Sequence, residues 1–166
     1  MLASPLLLDV RLADYDDPAD AIAVVAMLDE YARDPMGGGE PLDDDVREGL
    51  VAGLKATCGA FSVLARADGV VVGLANCLMG FSTFTARPLV NIHDVVVTAA
   101  QRGKRVGRAM FAVIEAVARE RGAAKVTLEV LEGNTGARAL YASLGYGDYV
   151  LDPGLGRALF WQKKLD

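Results

Sequence analysis

The chain has 166 residues, 52% hydrophobic and 23% charged, with a net charge of −5. That length suffices for one domain with a real core, and no apolar stretch reaches the roughly 18 residues that a membrane span needs. Thirteen of the 22 acidic residues fall in residues 1–50, beside only Arg11, Arg33 and Arg47, which argues against nucleic acid as a partner because a phosphate backbone demands a basic face.

In chain order, residues 6–12 alternate weakly and read as a first strand. Asp14-Tyr15-Asp16-Asp17-Pro18 carries helix-start chemistry. Ile22, Val25, Met27, Leu28 and Tyr31 then predict a helix over 18–33. Residues 34–41, with Gly37-Gly38-Gly39 at their centre, break it, and Asp43 or Asp44 caps a second helix carrying Val46, Leu50, Val51 and Leu54. Strands are expected over 60–65 and 70–79, joined by an Asp68-Gly69 hairpin turn. A loop over 81–88 leads to a strand over 89–98. Val106, Met110, Val113, Ile114 and Val117 share one face of a helix over 106–121 that Gly122 ends. A strand over 125–131 follows, then a helix capped by Asn134 or Thr135 and running to Leu144. Two short strands, 149–151 and 157–164, are expected to pair around Asp152-Pro153-Gly154.

The order βααβββαβαββ predicts one α/β domain over 1–166. Its mixed sheet is antiparallel at Asp68, parallel across the helix at 106–121, covered by helices on both faces and not doubly wound. Residues 1–9 lack the basic start and the apolar length of a signal peptide, so a cytoplasmic protein is expected. Cys58 and Cys77 have no metal-ligand spacing and read as two reduced, buried thiols.

The stretch QRGKRVGRAM, residues 101–110, holds Arg102, Lys104, Arg105 and Arg108 and no acid. A strand, a basic glycine turn and a helix N-terminus together make an anion site, because the first helical N–H groups lack acceptors and the helix dipole favours negative charge. A nucleotide P-loop needs Gly-x-x-x-x-Gly-Lys-Ser/Thr and a dinucleotide fold needs Gly-x-Gly-x-x-Gly; neither pattern is here.

Three runs taken together, IHDVVV, QRGKRVGRAMFAVIEAVARERG and KVTLEVLEGNTGARALYASLGY, resemble the GNAT superfamily of acyl-CoA N-acyltransferases. The likeness is strong over about residues 90–147. The family's turn is Gln/Arg-x-x-Gly-x-Gly/Ala: Arg102 fills its first position and Gly107 its last. Arg105 stands where the first glycine is usual, with Gly103 nearby to supply some of the freedom. The resemblance implies that Arg102, Gly103, Lys104, Arg105, Val106, Gly107 and Arg108 hold the pyrophosphate of acetyl-CoA. It also implies that the backbone of Val95, Val96 and Val97 lies along the pantetheine arm, and that Asn134 contacts that arm. No metal is expected. The implied activity is acetyl transfer to a primary amine of a small molecule. Two other readings stand beside it, a non-catalytic acyl-CoA-binding sensor module and a peptide or protein N-terminal acetyltransferase. Many members dimerise, and the strand over 157–164 is one a second copy could share.

The chemistry needs a base, because free alkylamines have a pKa near 10, an N–H donor for the developing oxyanion, and an acid for the leaving thiolate. Tyr141 sits at the family's tyrosine position and is the expected acid. Glu129, a carboxylate in an apolar strand, is the expected base. His93 is an alternative base. Asp94, on the opposite face of a regular strand, reads as a tie for neighbouring backbone. Asn91, Phe81, Ser82 and Phe84 are candidates to line the acceptor pocket. With one histidine and two unremarkable cysteines, direct attack by the amine is expected rather than a covalent acyl-enzyme. Asp34, Glu40, Asp43, Asp44 and Asp45 around the glycine loop suggest a cationic acceptor such as a polyamine, an amino sugar or a basic amino acid derivative.

Overall fold

The computed structural model describes residues 7–165. The chain folds into two compact units, one ending at Leu131 and one beginning at Glu132.

The first unit is a five-stranded sheet in the order β1-β2-β3-β4-β5: β1 Leu8–Leu12, β2 Phe61–Ala67, β3 Val70–Ser82, β4 Arg87–Val97 and β5 Val126–Leu128. The first four strands run antiparallel and β5 joins β4 in parallel, as the long crossover through a helix requires. Helices α1 Pro18–Arg33 and α2 Asp44–Ala56 precede β2, and α3 Val106–Glu120 joins β4 to β5. The expected first strand matches β1 from Leu8 on; Leu6 lies outside the described residues. The expected loop over 81–88 is shorter, because Phe81 and Ser82 still pair with Pro88 and Arg87.

Alternation of side chains across the sheet sets the two layers. Leu64, Leu74 and Val96 face α1, where they enclose Ala23, Val24 and Met27. Their neighbours Ala65 and Gly73 face α3: a side chain at Gly73 would meet the Met110 sulfur at 2.7 Å. The buried stripe of α3, Val106, Met110, Phe111, Ile114, Val117 and Ala118, covers that face. Burying each of its large side chains is worth about 1.5–3 kcal/mol, so α3, whose N-terminus carries the basic turn, is firmly seated.

The start of α1 is held by charge. Asp17 caps it by accepting from Ala19 N–H at 2.9 Å. Asp20, fully buried, accepts two bonds from Arg11 at 2.6 and 2.9 Å, one from Arg66 at 2.7 Å and one from the Asp14 N–H at 2.9 Å. Helix α2 buries no residue fully. It is tied to α1 through Asp29, which takes Arg33 at 2.8 Å, Arg47 at 2.9 Å and the Leu42 N–H at 2.9 Å.

The second unit contains α4 Thr135–Ser143 and a short 3-10 turn, Pro153–Leu155. The two strands expected at 149–151 and 157–164 are not formed there. A single bond from Ala158 N–H to the Tyr149 carbonyl, at 3.5 Å, lies where their ladder was expected. Asp152 instead turns back on the Gly154 N–H at 2.8 Å, a local Asx-type bond that competes with strand pairing.

Candidate active site

After β4 the chain makes one 3-10 turn, Ala99–Gln101, then the basic turn, then α3. The first bond of α3 runs from Ala109 N–H to the Arg105 carbonyl at 3.1 Å. The N–H groups of Val106 and Gly107, ahead of it, therefore have no acceptor within the helix. Gly103 has φ 76° and Arg105 φ 68°. Arg105 thus occupies the left-handed conformation in which glycine is usual, at a cost of roughly 1–2 kcal/mol, and the turn keeps a glycine-like path without the glycine. Lys104 and Arg105 are exposed and make no salt bridge among the described residues. Arg102 points elsewhere: its guanidinium donates to the Val97 carbonyl at 3.0 Å and to Asp34 at 2.8 Å. That pairing holds the Asp34 carboxyl below the usual carboxylate range. It joins the basic turn to the start of the acidic glycine loop. At that loop's first glycine no side chain fits, since a Cβ at Gly37 would lie 1.9 Å from the Tyr31 carbonyl oxygen.

Strand β5 pairs with β4 only from Val90↔Val126 to Ile92↔Leu128. Beyond Ile92 the two strands part, leaving β4 from His93 to Val97 without a strand partner on that side among the described residues. This parting of the strands, the slot, lies beside Val95, Val96 and Val97. At its mouth, β4 carries a bulge. Cys77 pairs with Ile92 and Asn76 with Asp94, so His93 is the extra residue. Asp94, two residues from Val96, shares the α1 side with it and with its partner Asn76, whose Nδ2 donates to Asp94 Oδ2 at 3.0 Å. The tie expected at Asp94 is thus to a side chain, and His93, which precedes it, is exposed.

Glu129 follows β5 directly and so stands on the opposite lip of the slot, exposed, with Asn91 Nδ2 at 3.3 and 3.4 Å from its two oxygens. Asn91 also reaches Thr127 at 3.2 Å. Of the pocket candidates on the hairpin, Ser82 is buried while Phe81 and Phe84 are exposed at the tip. The thiols differ from expectation in one case: Cys77 is buried, but Cys58 is exposed in the loop after α2. Burial foremost, then the nearby Asp94 charge, pushes the Cys77 thiol up to about 12, which disqualifies it as a nucleophile at neutral pH.

In the second unit, Asn134 caps α4 by accepting from the Ala137 N–H at 3.2 Å. Tyr141 lies on the same helix, its ring 6.4 Å from that of Tyr146 and tilted by 57°.

The β4–α3–β5 unit is thus a parallel crossover whose strands part beside a basic helix-start turn. A profile of the Acetyltransferase (GNAT) family matches residues 24–146, and the chain belongs to that family. Over 138 residues it is 31% identical to a streptothricin acetyltransferase of Streptomyces lavendulae, a match covering 83% of this chain. The chain spans 64% of that relative's length. Among solved structures, it is similar to a ribosomal-protein-alanine N-acetyltransferase from Brucella melitensis biovar Abortus 2308, with TM-score 0.65 and 22% identity over 88% of this chain and 99% of that one. It is also similar to the aminoglycoside N-acetyltransferase AAC(6')-Iy in complex with CoA, with TM-score 0.74 and 17% identity over 99% and 100% of the two chains.

Proposed function

We propose that the chain is an acetyl-CoA-dependent N-acetyltransferase acting on a primary amine of a small cationic molecule. The observation that carries this reading is the turn over 102–108, with helix-start amides at Val106 and Gly107, exposed cations at Lys104 and Arg105, and the slot beside Val95 to Val97 opening next to it. A pyrophosphate is an anion of the right size for such a turn. Arg102 serves it by bracing the turn against Asp34. Gly103, with its positive φ, lets the backbone curl around the anion, and Arg108 adds cationic charge at the helix start. Asn134, at the start of α4, is assigned to the pantetheine arm. The family profile runs across both compact units, which supports reading the chain as one catalytic domain.

Glu129, at the lip of the slot, takes the proton from the attacking amine. Tyr141 returns one to the leaving thiolate from its phenol O–H. Direct attack fits the inert Cys77. Relatives named for streptothricin and aminoglycosides support a small-molecule amine as acceptor.

The cationic character of the acceptor rests on the acidic loop. Asp44 is 94% exposed and only loosely paired, 3.6 Å from Arg47, and Asp43 makes no capping bond with its side chain. A release assay for the CoA thiol across a panel of amines tests the whole reading. Changing Asp43, Asp44 and Asp45 together to asparagine should raise KM for polycationic amines several-fold and leave KM for neutral-bodied amines alone, more so at low salt. Unchanged apparent affinity for every amine removes the cationic acceptor.

A further inference from the structure

Two polar residues are buried in the middle of the sheet among apolar neighbours: Ser62 in β2, fully buried, and Asn76 in β3, 3% exposed. They are cross-strand partners. Ser62 pairs with Asn76, and Asn76 with Asp94, so the three stand in one row across β2, β3 and β4 on the α1 side. Tyr15 extends the row beyond the end of β1. The contacts are continuous: Tyr15 OH to Ser62 Oγ 2.8 Å, Ser62 Oγ to Asn76 Oδ1 2.6 Å, and Asn76 Nδ2 to Asp94 Oδ2 3.0 Å.

The direction of every proton in this row follows from its last member. A carboxylate only accepts, so Asn76 must turn its NH₂ toward Asp94 and its carbonyl toward Ser62. Ser62 must then donate to Asn76, which leaves its oxygen to accept from Tyr15. Three donors thus point one way and end on one oxygen of Asp94. Such a chain polarises itself, each bond strengthening the next. It follows the regular β3–β4 register, which pairs Leu74 with Val96 and Asn76 with Asp94. Asp94 itself is half-buried, and its Oδ1 makes no hydrogen bond among the described residues. Around it stand Tyr31 of α1, whose hydroxyl burial and then the Asp94 charge push up, Cys77 of β3, and His93 beside it.

A purely structural reason for this row is weak. Apolar residues of similar shape would fill the same sheet positions without needing partners. What the row achieves is to fix one carboxylate oxygen, and with it the plane of the group, at the mouth of the slot. We infer that Tyr15, Ser62 and Asn76 are positioning residues for Asp94, whose Oδ1 accepts an N–H of the acceptor amine and aims the nitrogen lone pair into the slot. This rests on the acetyltransferase reading given above. Asp94 would be in contact with the substrate; the other three act through it.

Tyr15→Phe removes one hydroxyl at the far end and touches neither Asn76 nor Asp94. In acetyl-transfer assays it is expected to lower kcat roughly three- to tenfold, the scale of one hydrogen bond, with KM for acetyl-CoA unchanged. Ser62→Ala is expected to do more, because it breaks the row nearer Asp94. In a ¹⁵N-¹H NMR spectrum of the chain without substrate, the Asn76 side-chain proton facing Asp94 should move upfield in Tyr15→Phe, as that donor becomes less polarised. An Asn76 proton unmoved in folded Tyr15→Phe and Ser62→Ala overturns the relay, whether or not the chain transfers acetyl. A moved proton with kcat unchanged in both variants overturns the role of the relay in catalysis. Absence of transfer to any amine by the wild-type chain defeats the acetyltransferase reading and the substrate contact, and leaves the NMR result to decide the relay.

Discussion

Replacing Asp20 by alanine should cost about 3 kcal/mol of folding stability, because it leaves two half-buried arginines, Arg11 and Arg66, without their buried carboxylate. Asp20 has no exposed surface and binds Arg11, Arg66 and the Asp14 N–H at once. It also sits in the first turn of α1, where the helix dipole adds to the same attraction. The same carboxylate makes stability depend on pH. Its pKa is lowered from 3.8 to about 2, first by the Arg11 hydrogen bonds, against burial, and then by the Asp14 N–H and Arg66. A depressed carboxylate contributes in full above its unfolded value near 3.8 and loses its contribution as pH falls through about 2. That linked part is on the order of 2 kcal/mol at most, since Arg11 is 41% exposed and water screens its share. Urea unfolding at several pH values reads both effects. The gap between wild type and Asp20→Ala should be widest near neutrality and narrow below pH about 4. A gap that is small, or that does not change with pH, contradicts this assignment.

Tyr141→Phe should lower kcat about a hundredfold, the usual scale for a lost general acid, while acetyl-CoA still binds as tightly. The phenol supplies only a proton late in the reaction, so its loss leaves ground-state binding alone. This change also separates an enzyme from a module that merely senses acyl-CoA. A variant with kcat within about twofold of wild type would remove Tyr141 from the mechanism.

The helices were legible because their signals are local. Pro18 at the first position, Asp17 before it and Asp34-Pro35 after it bound α1 to Pro18–Arg33, and Asn134 announces α4 as its cap. The glycine-like shape at Arg105 was legible as a departure from a motif, though only the backbone shows that an arginine takes it. What the chain order hides is register. The pairing of Asp94 with Asn76, and the bulge at His93 next to it, depend on how β4 lies against β3. The pairing of Arg102 with Asp34 joins residues 68 apart and has no local signature. A signal for the buried row was present, in Ser62 and Asn76 standing among apolar neighbours, since a buried polar group must have a partner. The exposure of Cys58 and the missing C-terminal ladder reflect packing that alternation over a few residues does not encode.

The most direct test is calorimetric titration of the chain with acetyl-CoA, CoA and dephospho-CoA. All three keep the pyrophosphate, and all three should bind, with Kd on the order of micromolar. Gly107→Trp, which puts a bulky side chain over the helix-start amides, should weaken binding by at least about tenfold. Arg105→Glu should weaken it as well, because it replaces an exposed cation beside the anion by a like charge. Failure of every acyl-CoA to bind, or binding indifferent to Gly107→Trp, would contradict the assignment of this turn.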